Sequence, residues 1–291
     1  MYIMQPYDNA LRTILEQGQW KQNRTGVRTK AVFGIMSRYQ IDKQFPLITG
    51  RKIPSKSVFG ELLWFISGST NNNDLQKMGV NIWTPWVSEE FEKEHNYVPG
   101  SFGPVYGFNL RHFGGYYGDG SKPQMHLGEE MYGRHGIDQL AAIVKALREN
   151  PNDRRIIFSL WDAQNLDSMR LPPCHLFFQC YVHENKLTGL MVQRSCDFPV
   201  GVPFNIAFYS ALIYLLAQQT GLEPYEFVHV TNDSHVYEDQ IPAIEEYLAR
   251  SKPDSPKLIV NKAKDIDSYT LDDFKLEDYH PLEAIKIPVA V

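Results

Sequence analysis

Apolar positions along the chain follow two periods, about 3.6 and 2, and the switches between them divide it into elements. Tyr7 to Glu16 carries Leu11, Ile14 and Leu15 on one face and predicts an amphipathic helix. Ala31 to Ile41 alternates as a strand does, and the following FPLIT continues the pattern. Pro54 stands near the start of a helix with Ser55 as N-cap, running through VFGELLWFISG to Gly68. The helical period returns after Gly136, with apolar residues at 137, 140, 141, 143, 144 and 147. NPNDRR then turns into a strand, IIFSLW. Two further segments with strand character, LPPCHLFFQCYV and LTGLMVQRSCD, flank the turn Glu184-Asn185-Lys186, which predicts that they lie side by side. A long apolar helix runs to Gly221, EFVHV is a strand, and TNDSHVY leads into the helix DQIPAIEEYLAR. LIVN is a late strand, and the acidic DIDSYTLDDFKLEDY reads as a solvated connector.

No repeat or linker interrupts this succession, so residues 1–291 read as one domain. The irregular stretch 113–134 reads as a Gly-rich surface insertion, because its glycines lack the spacing of a phosphate-binding fingerprint. The apolar tail IKIPVAV suggests docking on the body or on a ligand.

A formal net charge of −5 leaves no footprint for a dedicated nucleic-acid or membrane-surface protein. The basic groups that matter therefore act in local clusters. Three cysteines without a CxxC pair argue against a disulfide framework or a structural zinc site and favour a reducing compartment. Nine scattered histidines, with no His-Glu-x-x-His run, make a metal site the weakest option. The first residues lack the order of a signal peptide, and no run of about 18 apolar residues is evident, which implies a soluble, cytoplasmic protein.

Reactive groups gather between Leu171 and Asn205. Cys174 follows a rigid Pro-Pro entry, and Arg194 on the neighbouring strand supplies a cation that lowers a thiol pKa. Cys180 sits in an apolar strand and reads as packing; Cys196 lies beside the polar cluster. Glu61, inside a strongly apolar helix, faces either solvent or the interior, where desolvation would raise its pKa. Trp83 and Trp86 are core residues or a flat wall for a planar ligand, and Tyr106 is set to project its hydroxyl into a cleft. Arg24 and Arg28 ride on a Gly-containing turn. Arg154 and Arg155 point to opposite faces if on a strand and reach one anion if on a loop. Two readings compete: a cysteine hydrolase using Cys174, His235 and an orienting Asn205, or a transferase acting on a phosphorylated planar substrate. Four arginines, 24, 154, 155 and 194, favour the second.

LPPCH, QRSCD, GVPFNIA, HVY and the terminal PVAV resemble the thymidylate synthase family, as do NRTG, ELLWF, GPVYG, IDQL and NDRRII in this order, over nearly the whole chain. The resemblance implies an α+β fold: a large mixed β-sheet flanked by helices, its sheets packed back to back in a homodimer. It implies methylation of dUMP with 5,10-methylenetetrahydrofolate as co-substrate, both carbon donor and reductant, and no metal. By the same resemblance Cys174 is the nucleophile, Glu61 the acid-base carboxylate, Asn205 the amide that reads the pyrimidine edge, and Tyr106 an aid to removal of the C5 proton. Arg24, Arg194 and Ser195 bind phosphate, with Cys196 among the same substrate contacts and Arg154 and Arg155 donated by a partner subunit. His235 and Tyr237 hold the ribose hydroxyl and Asp197 the pterin; Ile82, Trp83, Trp86, Gly201 and Phe204 form the folate wall; Ala290 belongs to a closing tail.

Several positions depart from the family pattern. Pro54 replaces a frequent histidine, Arg51 a lysine, Leu110 a tryptophan and Asn232 a glycine, and IWTPW replaces Trp-Asp-x-Trp. Two alternatives remain. One is a hydroxymethylase acting on dUMP or dCMP on the same scaffold, with water intercepting the methylene intermediate; Trp83 speaks against it. The other is a nucleotide- or RNA-binding protein that has kept the fold, which an intact Cys174, Glu61 and Asn205 disfavour.

Overall fold

The computed structural model describes residues 1–23, 25–120 and 136–289. Arg24, Ala290 and most of the 113–134 stretch lie outside the described residues. The helices are α1 Gln5–Gln17, α2 Ser55–Ile66, α3 Asn72–Lys77, α4 Glu89–Glu94, α5 Tyr106–His112, α6 Gln139–Glu149, α7 Gly201–Thr220 and α8 Ile241–Ala249. The strands are β1 Gln19–Lys21, β2 Thr29–Gln40, β3 Ile157–Ser159, β4 His175–His183, β5 Lys186–Asp197, β6 Glu223–Tyr237, β7 Lys257–Val260 and β8 Phe274–Glu277. This is the expected α+β architecture.

Six strands form one mixed sheet in the order β1-β2-β6-β5-β4-β3, and β7 and β8 pair separately. β5 and β6 run parallel; every other neighbouring pair is antiparallel. A parallel pair needs a crossover, and α7 provides it. The predicted turn joins β4 to β5: Glu184 and Asn185 take φ of 46° and 63°, and His183 pairs with Lys186. Two consecutive left-handed residues match the right-handed twist of a hairpin.

α7 is long and apolar enough to cross a membrane by length and composition, with mean hydropathy 1.3, despite Asn205, Ser210 and its tyrosines. In the fold it is a core helix: 78% of that window is buried, against β5, β6 and α2. Its close approach to the sheet depends on Gly189 in β5. A Cβ there would lie 2.4 Å from Phe178 Cζ and 2.7 Å from Ile213 Cδ1, below any normal contact.

Three expectations are corrected. FPLIT is no strand: Phe45, Leu47 and Ile48 are buried, but Phe45 N donates to Pro256 O at 2.7 Å and Thr49 Oγ1 to Pro253 O at 2.6 Å. EFVHV runs further than expected: TNDSHVY continues β6 up to the turn before α8, and its polar residues are tolerated because β2 and β5 satisfy both edges of the backbone. The acidic connector contains β8 and the buried Ile266 and Tyr269, and Phe274 stacks on Phe59 at 4.6 Å. Aromatic side chains interspersed among the acids hold that segment on α2.

Gly189→Ala is expected to destabilise the protein by about 1–3 kcal/mol, because overpacking here displaces Phe178 or α7. Urea unfolding measures this, and an unchanged midpoint would contradict the packing argument.

Candidate active site

Cys174 immediately precedes β4, and Arg194 lies opposite it on β5. Arg194 N donates to Cys174 O at 2.8 Å. Its guanidinium donates from Nε to Pro173 O at 2.9 Å and from Nη2 to Pro172 O at 2.8 Å, so the arginine braces the turn that presents the thiol. Tyr106, the first residue of α5, accepts from Cys174 N at 2.8 Å. Its ring stacks on Phe65 at 4.7 Å and meets the edge of Trp83 at 5.8 Å. Burial pushes the Cys174 thiol up, while Arg194 and a hydrogen bond from Tyr106 pull it down. Arg194 acts in the expected sense, yet burial wins and the resting thiol is held above its ordinary pKa.

Glu61 projects from α2 into the same enclosure. Burial raises its carboxyl to about 7, against the opposing hydrogen bond that Trp83 Nε1 donates to Oε1 at 2.6 Å. The interior alternative for Glu61 is therefore the one adopted. Trp83 and Trp86 meet edge to face at 6.2 Å; with Ile82 and Phe204 they are half-buried.

Gly201 opens α7 and Asn205 stands one turn in. Asn205 Oδ1 accepts from Gln193 Nε2 at 3.1 Å, and the same nitrogen donates to Ser195 O at 3.2 Å. Gln193 Oε1 faces His229 Nε2 at 2.9 Å. An amide oxygen only accepts, so His229 carries its proton on Nε2. Burial lowers His229 to about 3, which keeps the ring neutral. His175 is likewise lowered to about 3 by burial, against an opposing hydrogen bond with Asn205, and its Nδ1 lies 3.1 Å from Tyr209 Oη. This relay fixes which way the Asn205 amide points.

At the end of β5, burial raises Asp197 to about 6, opposed by His235 and by Gln240. Cys196 beside it is buried, and burial raises its thiol. Ser195 and Asp197 pair in register with Asp233 and His235 of β6. His235 Nδ1 sits 3.2 Å from both the carbonyl and Oδ1 of Asp233, which also binds Lys21 Nζ at 2.7 Å. Tyr237 closes β6, and its N donates to Gln240 Oε1 at 2.9 Å. Arg28 does not serve as a cation for the cleft. It donates from Nε to Glu238 Oε2 at 2.7 Å and lies 4.3 Å over the ring of Trp20. Arg154 and Arg155 occupy an exposed loop, not a strand, and Arg155 donates twice to Asp153 at 3.0 Å. Among the described residues no three His, Cys, Asp or Glu side chains form a metal-binding group.

Sequence reasoning missed Gln193, His229, Tyr209 and Gln240. Each lies within a segment read as strand or helix, and only pairing across β4, β5, β6 and α7 makes it part of the site.

A half-buried thiol beside a tyrosine and an arginine, with a carboxyl raised to about 7 across an aromatic wall, is an arrangement suited to a transferase. The family model described as thymidylate synthase matches residues 5–291, and the chain belongs to that family. It is 43% identical over 289 residues to a thymidylate synthase of equine herpesvirus 2, covering 98% of this chain and 97% of the relative. The human thymidylate synthase is 41% identical, with 98% and 90% covered. A bifunctional dihydrofolate reductase-thymidylate synthase of Zea mays is 43% identical, but this chain spans only 54% of its length.

Because the folded Glu61 pKa is raised from 4.5 to about 7, its stabilising contribution is full below the unfolded value and is lost as pH rises through 7. Above that pH the ionised form costs the fold roughly 3 kcal/mol. Glu61→Gln is therefore expected to raise the thermal midpoint by several degrees near pH 8 and by much less near pH 5. Thermal denaturation across that range measures it; a gain independent of pH would contradict the assignment.

Proposed function

We propose that the chain converts dUMP to dTMP with 5,10-methylenetetrahydrofolate as co-substrate, releasing dihydrofolate. The observation that carries the reading is the line Cys174–Tyr106–Trp83–Glu61, which joins a nucleophile to a proton-holding carboxyl along one aromatic wall.

Cys174 adds to C6 of the uracil ring, and the displaced electron pair makes C5 nucleophilic. The half-buried thiol loses its proton as the adduct forms, with Arg194 and Tyr106 favouring the anion. Asn205 accepts from N3–H and donates to O4, which selects uracil and steadies the oxygen on which charge develops. Glu61, raised to about 7, both holds and releases a proton near neutrality. C5 takes the methylene carbon of the folate and then loses its proton, assisted by Tyr106 with water, as the folate nitrogen departs with the electron pair of the C–N bond. A hydride from the same folate reduces the exocyclic methylene left on C5 to methyl, and expulsion of the Cys174 thiolate restores the free enzyme.

Arg194, Ser195 and Arg24 bind the phosphate, Cys196 lies among the same contacts, and His235 and Tyr237 bind the ribose. Asp197 holds the pterin. Ile82, Trp83, Trp86, Gly201 and Phe204 offer the ring a flat apolar wall, with Ala290 counted among the folate contacts. Water exclusion by this wall favours hydride transfer over hydration. The family match and the relatives likewise do not favour the hydroxymethylase.

The proposal includes a homodimer in which Arg154 and Arg155 reach the partner's phosphate site. Large apolar side chains left exposed on the strands support it: Phe33 is 82% exposed, Met36 62% and Tyr181 65%. Three free cysteines fit a reducing, cytoplasmic location.

The test is to mix the protein with dUMP and methylenetetrahydrofolate, follow dihydrofolate by absorbance and weigh the nucleotide. Methylated product with dihydrofolate is expected; a hydroxymethylated product with tetrahydrofolate would overturn the reading. Cys174→Ser should lose turnover by about a thousandfold or more while dUMP binding survives, and retained activity would remove Cys174 as nucleophile. Asn205→Asp should shift preference towards the cytosine nucleotide, because a carboxyl suits the amino group at C4. Competition between dUMP and dCMP measures that shift, and unchanged uracil selectivity would contradict the role of Asn205.

A further inference from the structure

Gln240 ends the 3-10 turn Glu238–Gln240 that follows β6, and it is 0% exposed. Its side chain joins three parts of the molecule. Oε1 accepts from Tyr237 N at 2.9 Å. Nε2 lies 3.2 Å from each carboxylate oxygen of Asp197, astride the pair, and 2.9 Å from Pro288 O in the C-terminal segment. A half-turn of the amide would set its oxygen against a carboxylate and a carbonyl, and its nitrogen against an N–H. All three contacts therefore fix one orientation.

We propose that Gln240 is the positioning residue that couples the nucleotide side of the cleft to the folate side and to the C-terminal segment. The inference rests on the synthase reading above and deepens it. Tyr237 and Asp197 lie at the ends of β6 and β5, and the Gln240 side chain bonds to both and to Pro288. The glutamine amide joins these parts with two donors and one acceptor, all used. With one N–H held astride the carboxylate, Asp197 has both oxygens oriented before any ligand arrives. The second N–H ties Pro288 to the same carboxylate, so displacement of the C-terminal segment and reorientation of Asp197 are linked. Other titratable groups facing Asp197 are His235 from β6, Asp239 from the same turn, Cys196 from β5 and Tyr7 from α1.

Two substitutions separate positioning from mere packing. Gln240→Glu keeps the shape and the acceptor for Tyr237 N but places an oxygen against Asp197 and Pro288. Gln240→Leu removes all three bonds. For Gln240→Glu, KM for methylenetetrahydrofolate is expected to rise about tenfold or more, the loss of charge-assisted hydrogen bonds, while dUMP affinity stays within about twofold. The defect should narrow as pH falls and the new carboxyl, protonated, regains a donor. Gln240→Leu should weaken both ligands. Equal losses for dUMP and folate in Gln240→Glu would mean a structural role only and would overturn the proposal, as would wild-type kinetics. Carboxypeptidase digestion of the ligand-free protein is the second readout. Gln240→Glu should release C-terminal residues about threefold faster or more than wild type, because a repelled segment is less often held. Equal release rates would overturn the tie to Pro288 whether or not the protein turns over dUMP, so failure here is distinct from failure of the synthase reading.

Discussion

Close approach of α7 to the sheet at Gly189 is the constraint on which the site depends. An apolar helix of 20 residues has to be covered, and β5 and β6 cover it only if the sheet offers no side chain at that crossing. Once the helix is seated, its first turn delivers Gly201, Phe204 and Asn205, the end of β5 delivers Arg194 to Asp197, and the end of β6 delivers His235 and Tyr237. Three chain segments then meet at one end of the crossover, the usual position for a ligand crevice beside parallel strands.

Burial sets the protonation of this crevice. Glu61 is raised to about 7, Asp197 to about 6 and the Cys174 thiol above its ordinary value, each chiefly by desolvation. Near neutrality these groups hold their protons more readily than exposed ones, which lessens repulsion of an anionic substrate. His175 and His229 are driven the other way, to about 3, and stay neutral, so they serve as fixed donors and acceptors for the amides of Asn205 and Gln193. One physical cause thus sets both the protonation of the carboxyls and thiol and the orientation of the Asn205 amide.

Departures from the family pattern have local consequences. Arg51 donates from Nη2 to Pro199 O at 2.6 Å, binding the loop before α2 to the turn that leads into α7. Pro54, not Ser55 as expected, occupies the N-cap of α2, because Ser55 already takes the first helical position; the proline has neither an N–H nor an imidazole to offer. Leu110 is only 4% exposed and packs in the core, so an apolar side chain suffices there. In IWTPW, Thr84-Pro85-Trp86 forms a 3-10 turn that keeps the two tryptophans in edge-to-face contact.

The amino-acid sequence alone determined the strongly periodic elements, the β4–β5 turn and the chemical character of Leu171–Asn205, because these rest on local periodicity and side-chain type. It did not extend β6 through TNDSHVY, and it misread the acidic segment that contains β8, where cross-strand pairing and a few aromatic contacts override local polarity. It left Glu61 undecided between solvent and interior, since burial depends on what packs over α2. It also expected Arg194 to lower the Cys174 pKa, and tertiary structure decided the net direction because desolvation grows with enclosure. The roles of Gln193, His229 and Gln240 were legible only in the folded molecule. Hydrogen bonds between residues 36 and 48 positions apart exist only once the sheet, α7 and the C-terminal segment have come together.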